Sequence, residues 1–396
     1  MTAIPVSSRG KRLTAVILIL LAGVTTGAQL GKIAPLIPWY QAELGLPLVA
    51  AGWLASILGI FIAKAALPTG WVIARIGVIR GIAAGVAIMF GGGMLLAFSS
   101  DPVIVFSARL IEAVGYLILC VALPSALNAI CPPSWKGPVL AIWSGFVPLG
   151  FALADLMANA ITAYFSPRVF LFTLMVLFGL FSAATLCLLR GLLNQGTQPA
   201  AISGRVADSI GRNITLNALS FASYVVLTVS YFNFLPVFIS SAGAHFLLPA
   251  GAITLAVPIG NILASISVRG RSSTFIARLT ICGFLVGTAT IVPALTSQNA
   301  LVATSCAILA VIAGAVVASA HFALVPFLTP ERGSTPMAFG MMSQMGGIGT
   351  MFGPPLAAGV IDAQGWAIFA YFLVAFGVLG AAFMVPLSAR SRSRHP

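Results

Sequence analysis

The chain consists almost entirely of continuous apolar runs about 20 residues long, about twelve in 396 residues. Such a run matches the ~20 helical residues that cross a ~30 Å hydrocarbon core. In lipid every backbone N–H and C=O must be paired within the protein, which leaves helices or closed barrels. Barrel strands alternate apolar and polar residues over short segments. These runs do not alternate, so they read as helices. They lie near 13–40, 47–70, 79–99, 102–130, 138–164, 168–190, 213–240, 246–268, 274–296, 299–328, 334–361 and 366–388. Only 7% of the residues are charged, against ~25% in soluble domains. The sequence predicts an all-α polytopic membrane protein embedded in a lipid bilayer. The first run continues to about Tyr40, too long for the apolar part of a cleaved signal peptide, and is read as the first span.

A net charge of +13 raises the possibility of a nucleic-acid partner. The positions of the basic residues argue against one. Arg9, Lys11, Arg12, Arg75, Arg80, Lys136, Arg190, Arg205, Arg212, Arg269, Arg271, Arg278, Arg332, Arg390, Arg392 and Arg394 fall in the termini and alternate loops, or at their edges. The other loops hold Arg168 with Glu43, Asp101 and Asp362. This is the positive-inside pattern, which puts both termini in the cytoplasm. Cys120, Cys131, Cys187, Cys282 and Cys306 form no CxxC pair, so neither a metal site nor a disulfide frame is indicated. His245, His321 and His395 are far apart, and no G-x-x-x-x-G-K-[ST] loop is present. No catalytic residue, metal or cofactor is expected, and the chain does not read as an enzyme.

The longest polar stretch, 191–212, divides the runs into two sets of six. The expected organisation is a bundle over 1–190, a cytoplasmic linker over 191–212, and a second bundle with a short basic tail over 213–396. The halves repeat. Pro38 and Gly45 correspond to Pro236 and Gly243 at a separation of 198, and Gly52, Gly150 and Phe170 to Gly251, Gly349 and Phe369 at 199. Twelve transmembrane helices in two pseudo-symmetric six-helix bundles form a transporter architecture, with the binding site near the midplane between repeats.

Between spans 2 and 3 stands Gly70-Trp-Val-Ile-Ala74-Arg75-Ile-Gly77-Val-Ile-Arg80. It resembles the G-x-L-x-D-R-x-G-R loop signature of the major facilitator superfamily, with Ala74 at the acidic position. Span 4 carries Arg109-Leu-Ile-Glu112-Ala-Val-Gly115, similar to that family's R-x-x-x-G motif. Trp143-Ser-Gly-Phe-Val-Pro148-Leu-Gly150 is similar to a string opening span 5 of bacterial cyanate- and nitroimidazole-type members. Gly346-Gly-Ile-Gly349-Thr-Met-Phe-Gly353-Pro354-Pro355 resembles the Gly/Pro motif of antiporter-type members. The resemblance covers essentially the whole chain. It implies a monomeric secondary transporter of the bacterial inner membrane, working by rocker-switch alternating access. Gly70, Arg75, Gly77, Gly150, Gly349 and Pro354 are the positions it gives to conformational gating.

Five charged residues lie within apolar runs: Lys32, Lys64, Arg109, Glu112 and Asp155. A charge in hydrocarbon is costly and normally faces a partner or a water-filled path. At ~1.5 Å rise per residue, Lys32 and Arg109 lie ~9 Å to the periplasmic side of their span centres, with Glu112 one turn deeper and Asp155 ~6 Å to the same side. The four are expected to share a layer, in which the resemblance places spans 1 and 4 on a central cavity. Lys32, with Gln29 one turn before it, and Arg109 are candidates to hold an anionic substrate, and Glu112 to carry a coupling proton. Asp155 is either a second protonation site or a partner of Lys32 or Arg109. The simpler reading is a set of salt bridges that hold helices together. Lys64 is close enough to a span end to snorkel.

The second half offers uncharged groups. Tyr231 and Asn233 are candidates to bind substrate or to serve as interfacial residues, and His321 to relay protons or simply to pack. The position 198 residues beyond Lys32 is Ser230, so the halves share a scaffold but not these charges. The expected function is proton-coupled transport of a small organic anion or polar solute. The alternative is proton-driven export of amphipathic drugs or metabolites.

Overall fold

A computed structural model describes residues 6–46, 48–193, 211–241, 246–329 and 334–389. Gly243, His245, Arg205, Arg332, His395 and most of the expected linker lie outside these residues. Every regular element among the described residues is helical. They are α1 (Val6–Gly31), a 3-10 turn (Ala34–Leu36), α2 (Ile37–Leu44), α3 (Leu48–Ile76), α4 (Val78–Phe98), α5 (Pro102–Ile130), α6 (Pro133–Trp143), α7 (Phe146–Thr162), α8 (Pro167–Leu193), α9 (Arg212–Ser241), α10 (Ala250–Thr254), α11 (Val257–Val268), α12 (Ser273–Thr296), α13 (Ala300–Leu328) and α14 (Thr335–Ser388).

Ten of the described helices are long and apolar enough to cross a membrane, or eleven when α6 and α7 count as one bent span. The expected twelve is reached only if α14 crosses twice. Its 54 residues span ~80 Å as a straight helix, and Gly365, with φ 79° and ψ −176°, interrupts it between the expected spans 334–361 and 366–388.

Four expectations need correction. The first span is not one run: helix α1 ends at Gly31, and Lys32 and Ile33 form a turn before the 3-10 segment. The fifth span is broken at Ser144–Gly145, and the eighth at Leu255–Ala256. The signature over Gly70–Arg80 is not a loop but the end of α3 and the start of α4, joined by Gly77 alone. Apolar residues continue on both sides of each break, which is why the sequence does not reveal it.

The chain forms two compact units. The first takes the described residues up to Pro133, then Phe146 to the end of α8, and Ser334–Ser343. The second takes Ser134–Gly145, α9 to α13, and the chain from Gln344. In the first, α4 packs along α5, and Leu54, Leu96, Val105, Phe170 and Leu174 centre a core. In the second, α12 packs along α13, and Leu235, Ile253, Ile291, Phe369 and Leu373 do the same.

The repeat is visible in how helices start. Asp101 caps α5 by accepting from the backbone N–H groups of Val103 and Ile104 at 2.8 and 3.1 Å. Asn299, 198 residues on, caps α13 by accepting from Leu301 and Val302 at 3.0 and 3.2 Å. Both cap residues donate their own N–H to a serine two residues earlier, Ser99 and Ser297. Such caps satisfy helix N-terminal donors that lack a partner. Gly150 and Gly349 repeat as contacts: a β-carbon on Gly150 would meet the backbone of Gly27–Ala28 in α1, and one on Gly349 the backbone of Ala222 in α9. Small residues let membrane helices approach backbone to backbone.

Candidate functional site

The first unit encloses three ionisable side chains in contact. Lys32, Arg109 and Glu112 are each completely buried. Lys32 is presented by the turn that ends α1, whose N–H still bonds to Ala28 O at 2.9 Å. Its Nζ donates to Glu112 Oε1 at 2.5 Å and to Gln29 Oε1 at 2.9 Å, with Met175 Sδ 3.9 Å away. Arg109 Nη1 donates to Glu112 Oε2 at 2.7 Å and to the carbonyl of Gln29 at 3.1 Å, and its Nε to the carbonyl of Leu54 at 3.2 Å. Gln29 Nε2 in turn donates to Thr25 O at 3.2 Å. One carboxylate is thus held between two cations, one oxygen to each.

A buried charge is tolerated only when paired and hydrogen-bonded. Here each oxygen of Glu112 is taken, yet with Lys32 protonated the cluster carries two positive charges and one negative. Among the described residues no acceptor reaches Arg109 Nη2. The hydroxyl of Tyr40, a residue 1% exposed, also has no hydrogen-bond partner among them, and it feels the charges of both Arg109 and Glu112.

Sequence reasoning brought Lys32, Gln29, Arg109 and Glu112 together, and the structure does too. It leaves out Asp155, which is exposed on α7 and forms no described ion pair. Without Asp155 the formal charge of the expected layer, with Lys32 protonated, is +1 rather than zero. Lys64 is exposed as well. Tyr40, Met175, Leu54 and the glycines of α4 were not anticipated as parts of the site. The Gly91–Gly93 run was legible only as a packing surface, and it is against Gly92 and Gly93 that Glu112 lies.

In the second unit Tyr231 is 3% exposed, its hydroxyl without a hydrogen-bond partner among the described residues, and Asn233 is exposed, donating to Val229 O of its own helix at 2.7 Å. Ser230, at the repeat position of Lys32, is fully buried, with Oγ 3.1 Å from where a β-carbon of Gly353 would stand. His321 is fully buried, its Nδ1 2.9 Å from Asn217 Oδ1 and its Nε2 3.3 Å from Ser220 Oγ. Phe221 and Phe284 pack against its ring in T-shaped contacts, centroids 5.7 and 6.0 Å apart. This unit also holds an uncharged cluster in which Ser319 Oγ donates to Asn261 Oδ1 at 3.0 Å or to Ala141 O at 2.9 Å, with Ser144 Oγ 3.0 Å away.

Of the expected gating residues, Gly70 lies where a β-carbon would be 2.6 Å from Pro336 O. Gly77 has φ 91°. Arg75 lies over the Trp71 ring at 3.7 Å and forms no described ion pair, consistent with Ala74 at the acidic position. Pro354 is half-buried within α14.

No curated protein matches the chain in sequence. Among solved structures, the proton:xylose symporter XylE bound to 6-bromo-6-deoxy-D-glucose matches at a TM-score of 0.78, with 13% identity over 96% of each chain. The human organic anion transporter MFSD10 (TETRAN) matches at 0.73, with 15% identity over 96% of this chain and 100% of that one. At such identities the likeness is one of fold. The model of the Major Facilitator Superfamily matches residues 16–335, and with that the chain belongs to this superfamily of secondary transporters.

Proposed function

We propose that the protein is a proton-coupled transporter of a small organic anion or polar solute, with Lys32 and Arg109 as the anion-holding groups. The observation that carries this reading is the buried cluster of Lys32, Arg109 and Glu112 with its net positive charge. A purely structural ion pair would balance its charges, whereas an excess cation inside a membrane bundle is a site for a mobile anion. Residues 1–190 and 213–396 act as the two bundles of an alternating-access cycle, joined by 191–212, in a bacterial cytoplasmic membrane with both termini inside.

One of the two structural neighbours is described as an organic anion transporter and the other as a proton:xylose symporter. The charged cluster favours an anion over a neutral sugar. Export of amphipathic compounds needs apolar walls and one acidic residue, and it leaves the second buried cation without a role. The test is uptake of radiolabelled carboxylates by membrane vesicles containing wild type or Lys32→Ala. Loss of uptake with folded protein retained is expected. Normal uptake by the variant would remove the anion site from Lys32.

A further inference from the structure

Resting on that transport reading, we propose that Lys32 rather than Glu112 carries the coupling proton. It does so together with a monovalent anion held by Arg109 Nη2, with the Tyr40 hydroxyl as a second donor.

The argument is one of charge and donors. Arg109 is permanently protonated. Protonating Glu112 would leave two cations buried side by side with no anion, the least favourable state of the cluster. Losing a proton from Lys32 leaves the Arg109–Glu112 pair neutral. A neutral amine still has two N–H groups, enough for Gln29 Oε1 and Glu112 Oε1, so the hydrogen bonds survive deprotonation.

With Lys32 protonated the cluster is +1. The two N–H groups of Arg109 Nη2, and the O–H of Tyr40, then offer buried donors without partners among the described residues for one negative charge. A monoanion returns the total to zero; a dianion does not. Two states are therefore neutral: neutral Lys32 without anion, and protonated Lys32 with anion. Each anion bound takes one proton from water onto Nζ, and each anion released returns it.

The groups around Lys32 support this count. From α5 it faces Arg109 and Glu112, and from α8 Met175, which does not titrate. Tyr40 of α2 feels the same cluster. Asp155 of α7 and Lys64 of α3 are exposed, and Arg168 of α8 is paired with Glu43 at 3.1 Å. Among the described residues nothing else supplies the missing negative charge.

The test uses purified full-length protein, with benzoate, lactate and nitrate as monovalent probes and succinate as a divalent one. Binding is read as a thermal shift between pH 6 and 9, and proton uptake by an indicator dye in weak buffer. For wild type the expectation, at pH above the titration of Lys32, is about one proton taken up per monoanion and an affinity falling about tenfold per pH unit. Lys32→Arg keeps its charge and should bind the probe without pH dependence or proton uptake. Tyr40→Phe should bind more weakly but keep the stoichiometry. If Lys32→Arg does not fold, infrared difference spectra of wild type decide: a protonated-carboxyl band that appears with the anion and vanishes in Glu112→Gln assigns the proton to Glu112 and overturns the inference. Uptake persisting in Lys32→Arg, or binding without uptake in wild type at the alkaline end of the range, overturns it too and leaves the transport reading standing. No binding of any monoanion overturns both.

Discussion

A β-carbon placed on Gly93 would stand 2.8 Å from Glu112 Oε1 and closer still to Met175 Sδ. Its neighbour Gly92 would crowd the Glu112 backbone N at 2.8 Å, while Gly91 meets nothing within 4 Å. The bare backbone of α4 thus leaves room for the carboxylate between its two cations. Gly93→Ala should destabilise the protein by about 1–3 kcal/mol, as overpacking does. Gly91→Ala should cost nothing and can gain up to ~1 kcal/mol from helix propensity. Unfolding by SDS titration in micelles compares the two. Equal stabilities would mean that Glu112 is not seated by the glycines.

Glu112 is the one carboxylate for two buried cations. Glu112→Gln should therefore cost about 3–5 kcal/mol, the range found when one member of a buried ion pair is removed. Most of that cost comes from Arg109, which stays protonated and loses its counter-charge. Arg109→Met should then destabilise less in the Glu112→Gln background than in wild type. A double-mutant cycle measures the difference. Additive losses would show that the two residues do not share an interaction.

The cluster was legible because a charge in an apolar run has few places to go, and depth along a helix follows from rise per residue. Depth alone misplaced Asp155. The buried residues of α7 are Phe146, Gly150, Ala154 and Ala158, a stripe at a spacing of four. Asp155 is one residue past that stripe, about 100° around the helix, and points off it. The small-residue stripe was in the sequence and would have excluded it. The break at Lys32 was not legible, because Ile33 to Leu36 continue the apolar run. Nor was the orphaned Nη2 of Arg109, since the carbonyls of Leu54 and Gln29 that occupy the rest of the guanidinium are placed by tertiary packing.

Gly77 separates α3 from α4 with φ 91° and ψ 149°, and a β-carbon there would meet nothing within 4 Å. Space is therefore not what requires glycine; the backbone is. That region is essentially closed to residues with a side chain. Gly77→Ala should cost of the order of 1–3 kcal/mol by strain alone. SDS unfolding checks it, and a loss below ~0.5 kcal/mol would mean that the junction relaxes to another conformation.

The break between α6 and α7 has a different basis. Asn261 Nδ2 lies almost where a β-carbon of Gly145 would stand, so the amide occupies the place of the missing side chain. Asn261 Oδ1 accepts from Ser319 Oγ at 3.0 Å, and Ser144 Oγ lies 3.0 Å from that hydroxyl. Gly145→Ala must push the amide out of this buried cluster, leaving polar groups without partners at about 1–3 kcal/mol. Asn261→Ala alone loses the same hydrogen bonds. In the double variant the methyl group added at position 145 has room and the bonds are already gone, so its loss should be well below the sum of the single losses. SDS unfolding of the four proteins tests this. Strict additivity would mean that Asn261 does not hold the break, and that Gly145 is required there for some reason other than the amide packed against it.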